Sequence, residues 1–167
     1  MSVLAVISVI SVVLALKYSY IESLINKRKE YISNEAVLMS AEFTDYSDLS
    51  DARNGGMYEN LMNYSALNQM RIRVVDRKYM VSLDTYAVDN GKTIISSKVI
   101  DVYESSKAVA DYNRKSGSIE AVSPVYNSEG TVIAVLVVNF DISDIRVLAG
   151  DAFDGIYAVS YTHLTLP

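Results

Sequence analysis

The stretch Thr131-Val132-Ile133-Ala134-Val135-Leu136-Val137-Val138-Asn139-Phe140 decides the fold. It is almost wholly apolar, rich in β-branched residues, and preceded by the turn-forming run Asn127-Ser128-Glu129-Gly130. A short valine-rich run bounded by turn residues reads as a strand, not a helix. Both of its alternating side-chain sets are apolar, so it is expected in the middle of a sheet, covered on both faces.

Working outward, Ile119 to Tyr126 reads as a neighbouring strand. Pro124 lies inside it; proline cannot donate to a ladder, so this position is expected at an edge or a bulge. Asn113-Arg114-Lys115-Ser116-Gly117 is a hairpin turn, and Ala108 to Tyr112 a further strand. Ser96 to Glu104 has the period of a short helix, with Ser96 or Ser97 as cap and Val99, Ile100 and Tyr103 on one face. Upstream, Arg71 to Val75 alternates charged and apolar residues, as a half-buried strand should. Asp76-Arg77-Lys78 is a turn, and Tyr79 to Leu83 a second strand ending at Asp84. Asp89-Asn90-Gly91-Lys92 is another turn; its Gly-Lys pair lacks the spaced glycines and following hydroxyl of a phosphate loop. After Phe140, Asp141-Ile142-Ser143-Asp144-Ile145 is expected to open a helix reaching about Tyr157. The sum is an α+β fold: a five-stranded antiparallel sheet with flanking helices.

Ahead of the sheet, Met1 to Leu16 carries no charge. As a helix at 1.5 Å per residue it spans roughly 24 Å, about one turn short of a 30 Å bilayer core. Tyr18, Tyr20 and Ile21 extend it, with Lys17 snorkelling to the headgroups. A transmembrane helix is therefore expected over residues 1–20. A cleaved signal peptide fits less well, because no positive segment precedes the apolar run and no small-residue cleavage site follows. From Tyr18 to about Phe43 apolar residues keep a helical period, and Tyr18, Ile25, Ile32 and Met39 form a seven-residue series. That series is either a seam against a second copy of the helix or a face packed on the chain's own sheet. Asp45, Asp48 and Asp51 and the turn Asn54-Gly55-Gly56 interrupt the pattern, and a second helix, Met57 to Gln69, follows. With Glu59, those acids read as a solvated surface more readily than as a site for a divalent cation or polyamine; their spacing does not match a calcium loop. The organisation is thus a stalk and second helix over 21–70, a sheet over 71–142 and an exit helix over 143–157.

Composition narrows the function. Among 167 residues, half are hydrophobic and the net charge is -5, with no basic stripe for nucleic acid. The absence of cysteine excludes disulfides and thiolate metal sites. The thirteen tyrosines suit strand and interface packing. No catalytic constellation and no metal-ligand spacing is present. Asn63-Tyr64-Ser65 matches a glycosylation sequon, a pattern short enough to arise by chance. For a small ligand held by the sheet, Asp84, Tyr86, Tyr112 and Tyr126 are the candidate lining residues, polar handles on or beside strands.

The runs RIRVVDRKYMVSLDT, GKTIISSKVIDVYESSKAVADY and GSIEAVSPVYNSEGTVIAVLVVNFDISDI resemble the PAS-like, Cache-type extracellular sensor domain of bacterial membrane-bound sensor histidine kinases. Val74-Val75-Asp76 and Leu83-Asp84 match its opening, and Val122 to Ile145 its close. The resemblance covers about Tyr18 to Tyr157 and also extends to chemoreceptors and cyclic-dinucleotide enzymes. It implies an extracytoplasmic sensor held by a membrane helix, homodimerisation through the stalk, and an unknown small ligand or envelope partner. It also implies a second transmembrane segment after residue 157, then a kinase core that alone would use ATP and magnesium and would act on a response regulator. Neither that helix nor a kinase segment is in the sequence given. Lys17, Lys27, Arg28 and Lys29 all follow the apolar run, and the positive-inside rule would by itself place that side in the cytoplasm; the resemblance implies the opposite.

The last residues, Val159-Ser160-Tyr161-Thr162-His163-Leu164-Thr165-Leu166-Pro167, resemble the translation of common transposase-adapter DNA. Residues 159–167 are accordingly read as a sequencing artefact, which removes His163, the sole histidine, from candidate chemistry.

Overall fold

The structure is a computed structural model that describes residues 3–142. The expected exit helix and the adapter-like tail lie outside the described residues. Helix α1 covers Val3–Ala41, and a 3-10 turn, Glu42–Asp45, follows it. Helices α2 (Leu49–Asn54) and α3 (Met57–Asn68) lead into strands β1 (Arg71–Asp76) and β2 (Val81–Asp84). Helix α4 (Ser97–Ser105) precedes β3 (Val109–Asn113), β4 (Ser118–Tyr126) and β5 (Val132–Asp141). The sheet is antiparallel throughout, in the order β2-β1-β5-β4-β3. Residues 29–141 form one compact unit, and the chain N-terminal to Lys29 belongs to another.

In the second of these, Ile7, Val9, Ile10, Val12, Leu14 and Leu16 of α1 are all exposed. This part of α1 is long and apolar enough to cross a membrane, and none of it is buried.

In the unit of residues 29–141, β5 is central and buried on both faces, as its composition requires. One face of the sheet (Ile72, Val74, Ile119, Ala121, Leu136, Val138) packs in a core with Ile32, Ala36 and Met39 of α1, Phe43, and Met57 and Leu61 of α3. A hydroxyl pair pins α1 to this face: Ser40 Oγ lies 2.8 Å from Ser123 Oγ. Ser65 of α3 bonds Thr85 just beyond β2 at 2.8 Å. The seven-residue series of the stalk is therefore divided. Ile32 and Met39 pack on the chain's own domain, while Tyr18 is exposed in the other unit. The opposite face carries a valine cluster (Val75, Val81, Val122, Val135, Val137) closed by Val99 and Val102 of α4. The buried face of α4 thus runs through Val102 rather than Ile100, which is half-buried.

Pro124 sits where its chemistry permits. Pairing of β4 with β3 ends at Val122–Val109, so the outer side of Pro124 carries no ladder, and a register shift follows at Val125/Tyr126. Strand β2 begins two residues later than its apolar pattern suggests, because Tyr79 takes φ 62° in the turn that Asp76 organises. The acidic interruption contains a helix that composition hides. Asp48 caps α2 by accepting from the N–H groups of Ser50 (2.8 Å) and Asp51 (2.9 Å).

Candidate functional site

Strand alternation sets one polar row at the end of the α4-side face. Arg71 of β1 is opposite Asn139 of β5, Asn139 is opposite Glu120 of β4, and Glu120 is opposite Asp111 of β3. Two residues along β1, Arg73 opens the next row, which continues in Val137, Val122 and Val109. Beyond it the face is apolar. The end of β2 brings Asp84, and the loop after it Asp89, to one side of this row, and Lys98 in the first turn of α4 covers the other.

Asp84 is the hub of the loop. Its side chain is fully buried and takes a bidentate pair from Arg71, Nε at 2.9 Å and Nη2 at 2.7 Å. The same carboxylate accepts from the backbone N–H groups of Tyr86 (3.1 Å), Val88 (2.9 Å) and Asp89 (2.8 Å). Its own N–H donates to Asn90 Oδ1 at 2.6 Å. Burial pushes the Asp84 carboxyl up, but the Arg71 bonds and the backbone donors outweigh it and hold the group well below the usual carboxylate range. Arg71 also reaches Asp89 at 2.7 Å.

Arg73 is less completely matched. Its side chain is 12% exposed. It donates to Asn139 Oδ1 at 2.6 Å, with Asp89 at 3.6 Å and Glu120 at 3.7 Å as looser ionic neighbours. Its buried Nε has no hydrogen-bond partner. Burial, and then the adjacent Arg71 charge, lower its proton affinity. Glu120 accepts from Lys98 (3.1 Å) and from Asn139 Nδ2 (3.2 Å). Burial raises its carboxyl, yet those donors and the charges of Lys98 and Arg73 bring it below its ordinary value.

The four residues singled out from sequence do not converge. Asp84 belongs to the charged network, but its oxygens are already engaged by Arg71 and the loop backbone. Tyr86 is exposed beside it, with the Arg71 guanidinium 5.9 Å from its ring centroid. Tyr112 pairs with Ile119 and so stands on the other side of β3 from Asp111. Tyr126, at the far end of β4, donates to the Ser106 carbonyl at 3.2 Å. The residues that do converge are Arg71, Arg73, Asp84, Asp89, Lys98, Glu120 and Asn139. For Arg71 and Arg73 the signal was their period-two alternation on one strand face. No group of acids and histidines able to hold a metal occurs among the described residues. Chemically, the arrangement is a network of mutually paired charges in which the Arg73 Nε is left as a buried donor without an acceptor; it offers no activated nucleophile.

No protein-family model and no curated protein matches the chain. Solved structures do. The chain is similar to the sensor domain of E. coli DcuS, with a TM-score of 0.55, 13% identity, and coverage of 71% of this chain and 94% of that one. It is also similar to the sensor domain of the V. cholerae histidine kinase DctB, with a TM-score of 0.54, 16% identity, and coverage of 84% and 58%. An extracellular ligand binding receptor from Desulfohalobium retbaense gives a TM-score of 0.54, 17% identity, and coverage of 72% and 24%. The chain thus spans about the whole of the first, over half of the second and a quarter of the third. It has the PAS-like fold of these sensor domains.

Proposed function

We propose that the chain is the signal-input part of a membrane-anchored two-component sensor histidine kinase. Its PAS-like sheet takes up an extracytoplasmic cue, and a small helix displacement carries the result across the membrane. The observation that carries this reading is the division of labour within α1. Its N-terminal part is apolar and exposed, and its C-terminal part is built into the sheet's core through Ile32, Ala36 and Met39. The same polypeptide segment thus belongs to an anchor and to a sensor. The likeness to the DcuS and DctB sensor domains supports the input role. Two copies would pair through Tyr31, Val37 and Leu38, which α1 leaves exposed, rather than through Ile32 and Met39.

The cue is a small ligand or an envelope partner acting on the α4-side face, and the output is a kinase acting on a response regulator. A second reading has the same input part serve a chemoreceptor, a cyclic-dinucleotide enzyme or a stand-alone binding protein, and the likeness to an extracellular ligand binding receptor supports the last of these. Reading the source DNA through and beyond the Tyr157 codon without transposase adapters tests the output. The expected result is a second apolar helix followed by a histidine-bearing helix and an ATP-binding domain. A methyl-accepting coiled coil or a cyclase domain would transfer the sensor to another output, and a stop codon after Pro167 would remove the kinase.

A further inference from the structure

Both connections of the unit formed by residues 29–141 leave it at one end. Strand β5 reaches that end at Asp141, paired with Ser118 at the start of β4. Helix α1 enters there as well. Further along α1, Ser40 meets Ser123 at 2.8 Å, and the Ser47 carbonyl accepts from Asn127 in the β4–β5 turn at 3.0 Å. The step from Ser40 back to Lys29 is about 16 Å of helix, and the step from Ser123 back to Ser118 is about 17 Å of strand. Lys29 is therefore level with the start of β4. Tyr64, near the end of α3, bonds Glu35 in this part of α1.

Three connections at this end expose side chains that suit a lipid–water boundary. The last turn of α3 presents Leu67, 83% exposed, and the loop hung from Asp84 presents Tyr86 and Val88, 54% and 58% exposed. On the other flank of the sheet, the β3–β4 turn carries Arg114 and Lys115, both exposed. The acids at this end outside the paired network are Glu30 and Asp141, with Asp111 3.7 Å from Lys98; Asp84 and Asp89 are engaged by Arg71. The opposite end is of the other sign, since Glu42, Asp45, Asp48 and Glu129 there outnumber Arg77 and Lys78. Tyrosine and aliphatic tips favour the headgroup layer, and lysine and arginine are drawn to anionic lipid.

We infer that this end of the unit rests on the membrane surface. Leu67, Tyr86 and Val88 enter the headgroup layer, and Arg114 and Lys115 meet the phosphates of anionic lipids. The inference rests on the membrane anchor proposed above and adds a lipid seat for the sheet itself. Because the N–H groups of Tyr86 and Val88 are held by the Asp84 carboxylate, lipid contact bears directly on the Arg71–Asp84 pair.

The test uses the full chain in vesicles of phosphatidylcholine, with or without phosphatidylglycerol, in which some headgroups carry a nitroxide. The chain has no cysteine, so one fluorophore can be placed at Ser116→Cys in the β3–β4 turn or at Ser128→Cys in the β4–β5 turn. The two turns are roughly 30 Å apart along β5. The expected result is quenching at Ser116→Cys and none at Ser128→Cys, strengthened by phosphatidylglycerol. Arg114→Glu with Lys115→Glu abolishes the strengthening, and Tyr86→Ser with Val88→Ser weakens quenching in both kinds of vesicle. Should a double variant not fold, high salt takes its place and must abolish the strengthening by screening. An unquenched probe at Ser116→Cys, equal quenching at the two positions, or quenching indifferent to phosphatidylglycerol overturns the seat while leaving the anchor. A chain that does not float with the vesicles overturns the anchor, and the seat with it.

Discussion

Asp84 shows how one side chain can organise a loop and hide its role in sequence. It terminates β2, and an acid at a strand end before a turn invites a binding role. In the structure its oxygens are consumed by Arg71 and three backbone N–H groups, so it shapes the loop that carries Asp89. Breaking a buried ion pair leaves the partner charge stranded. Asp84→Ala is therefore expected to cost about 3 kcal/mol at neutral pH, the lower end of the range because Arg71 keeps Asp89. The folded-state affinity of Asp84 for its proton is depressed, so its contribution is fully present above the ordinary carboxylate value of about 3.9 and is lost as pH falls through the depressed folded value. Urea unfolding from neutral to acid pH checks this: the gap between wild type and Asp84→Ala should narrow below about pH 4. A gap that stays constant into acid would show that the carboxylate charge is not what stabilises the loop.

At the scale of elements, the strands were legible because their chemistry is local. The apolar run of β5, the turn residues at Asn113 to Gly117 and Asn127 to Gly130, and the alternation in β1 each announce themselves within a few residues. What could not be read is what depends on partners far along the chain. Ile32 and Met39 fit a coiled-coil seam and a core face equally well by spacing, and only the sheet supplied by residues 71–141 decides between them. The charged network has the same character. Arg71 and Arg73 read as a half-buried strand, but nothing near them announces Glu120, Asn139 or Lys98, which arrive from β4, β5 and α4. Tyr112 and Tyr126 were plausible on residue type alone, yet strand alternation places Tyr112 on the other face of β3 from Asp111 and the length of β4 carries Tyr126 away from the charges.

The join between α1 and the sheet gives a prediction at this scale. Phe43 closes the end of α1 and is fully buried, whereas Leu67 on α3 is 83% exposed. Phe43→Ala should cost about 3–5 kcal/mol, and Leu67→Ala should stay within about 0.5 kcal/mol. Denaturant midpoints for the two variants are the measurement. A large loss at Leu67 would reveal a contact with another molecule, and a small loss at Phe43 would show that the end of α1 is not seated in the core.

The molecule as a whole combines an exposed apolar helix with a PAS-like sheet, and the account of it as an input module depends on the two lying at and outside a membrane. The natural absence of cysteine makes this directly measurable, since a single introduced thiol has no background. Lys107, exposed just before β3, is a suitable place. Lys107→Cys would be expressed in cells, fractionated, and treated with a membrane-impermeant maleimide before and after lysis. The account predicts that the chain stays with the membrane after alkaline washing and that the thiol is labelled in intact cells. Labelling only after lysis would place the sheet in the cytoplasm, on the side that Lys27, Arg28 and Lys29 favour by charge, and recovery of the chain in the soluble fraction would contradict the anchor itself.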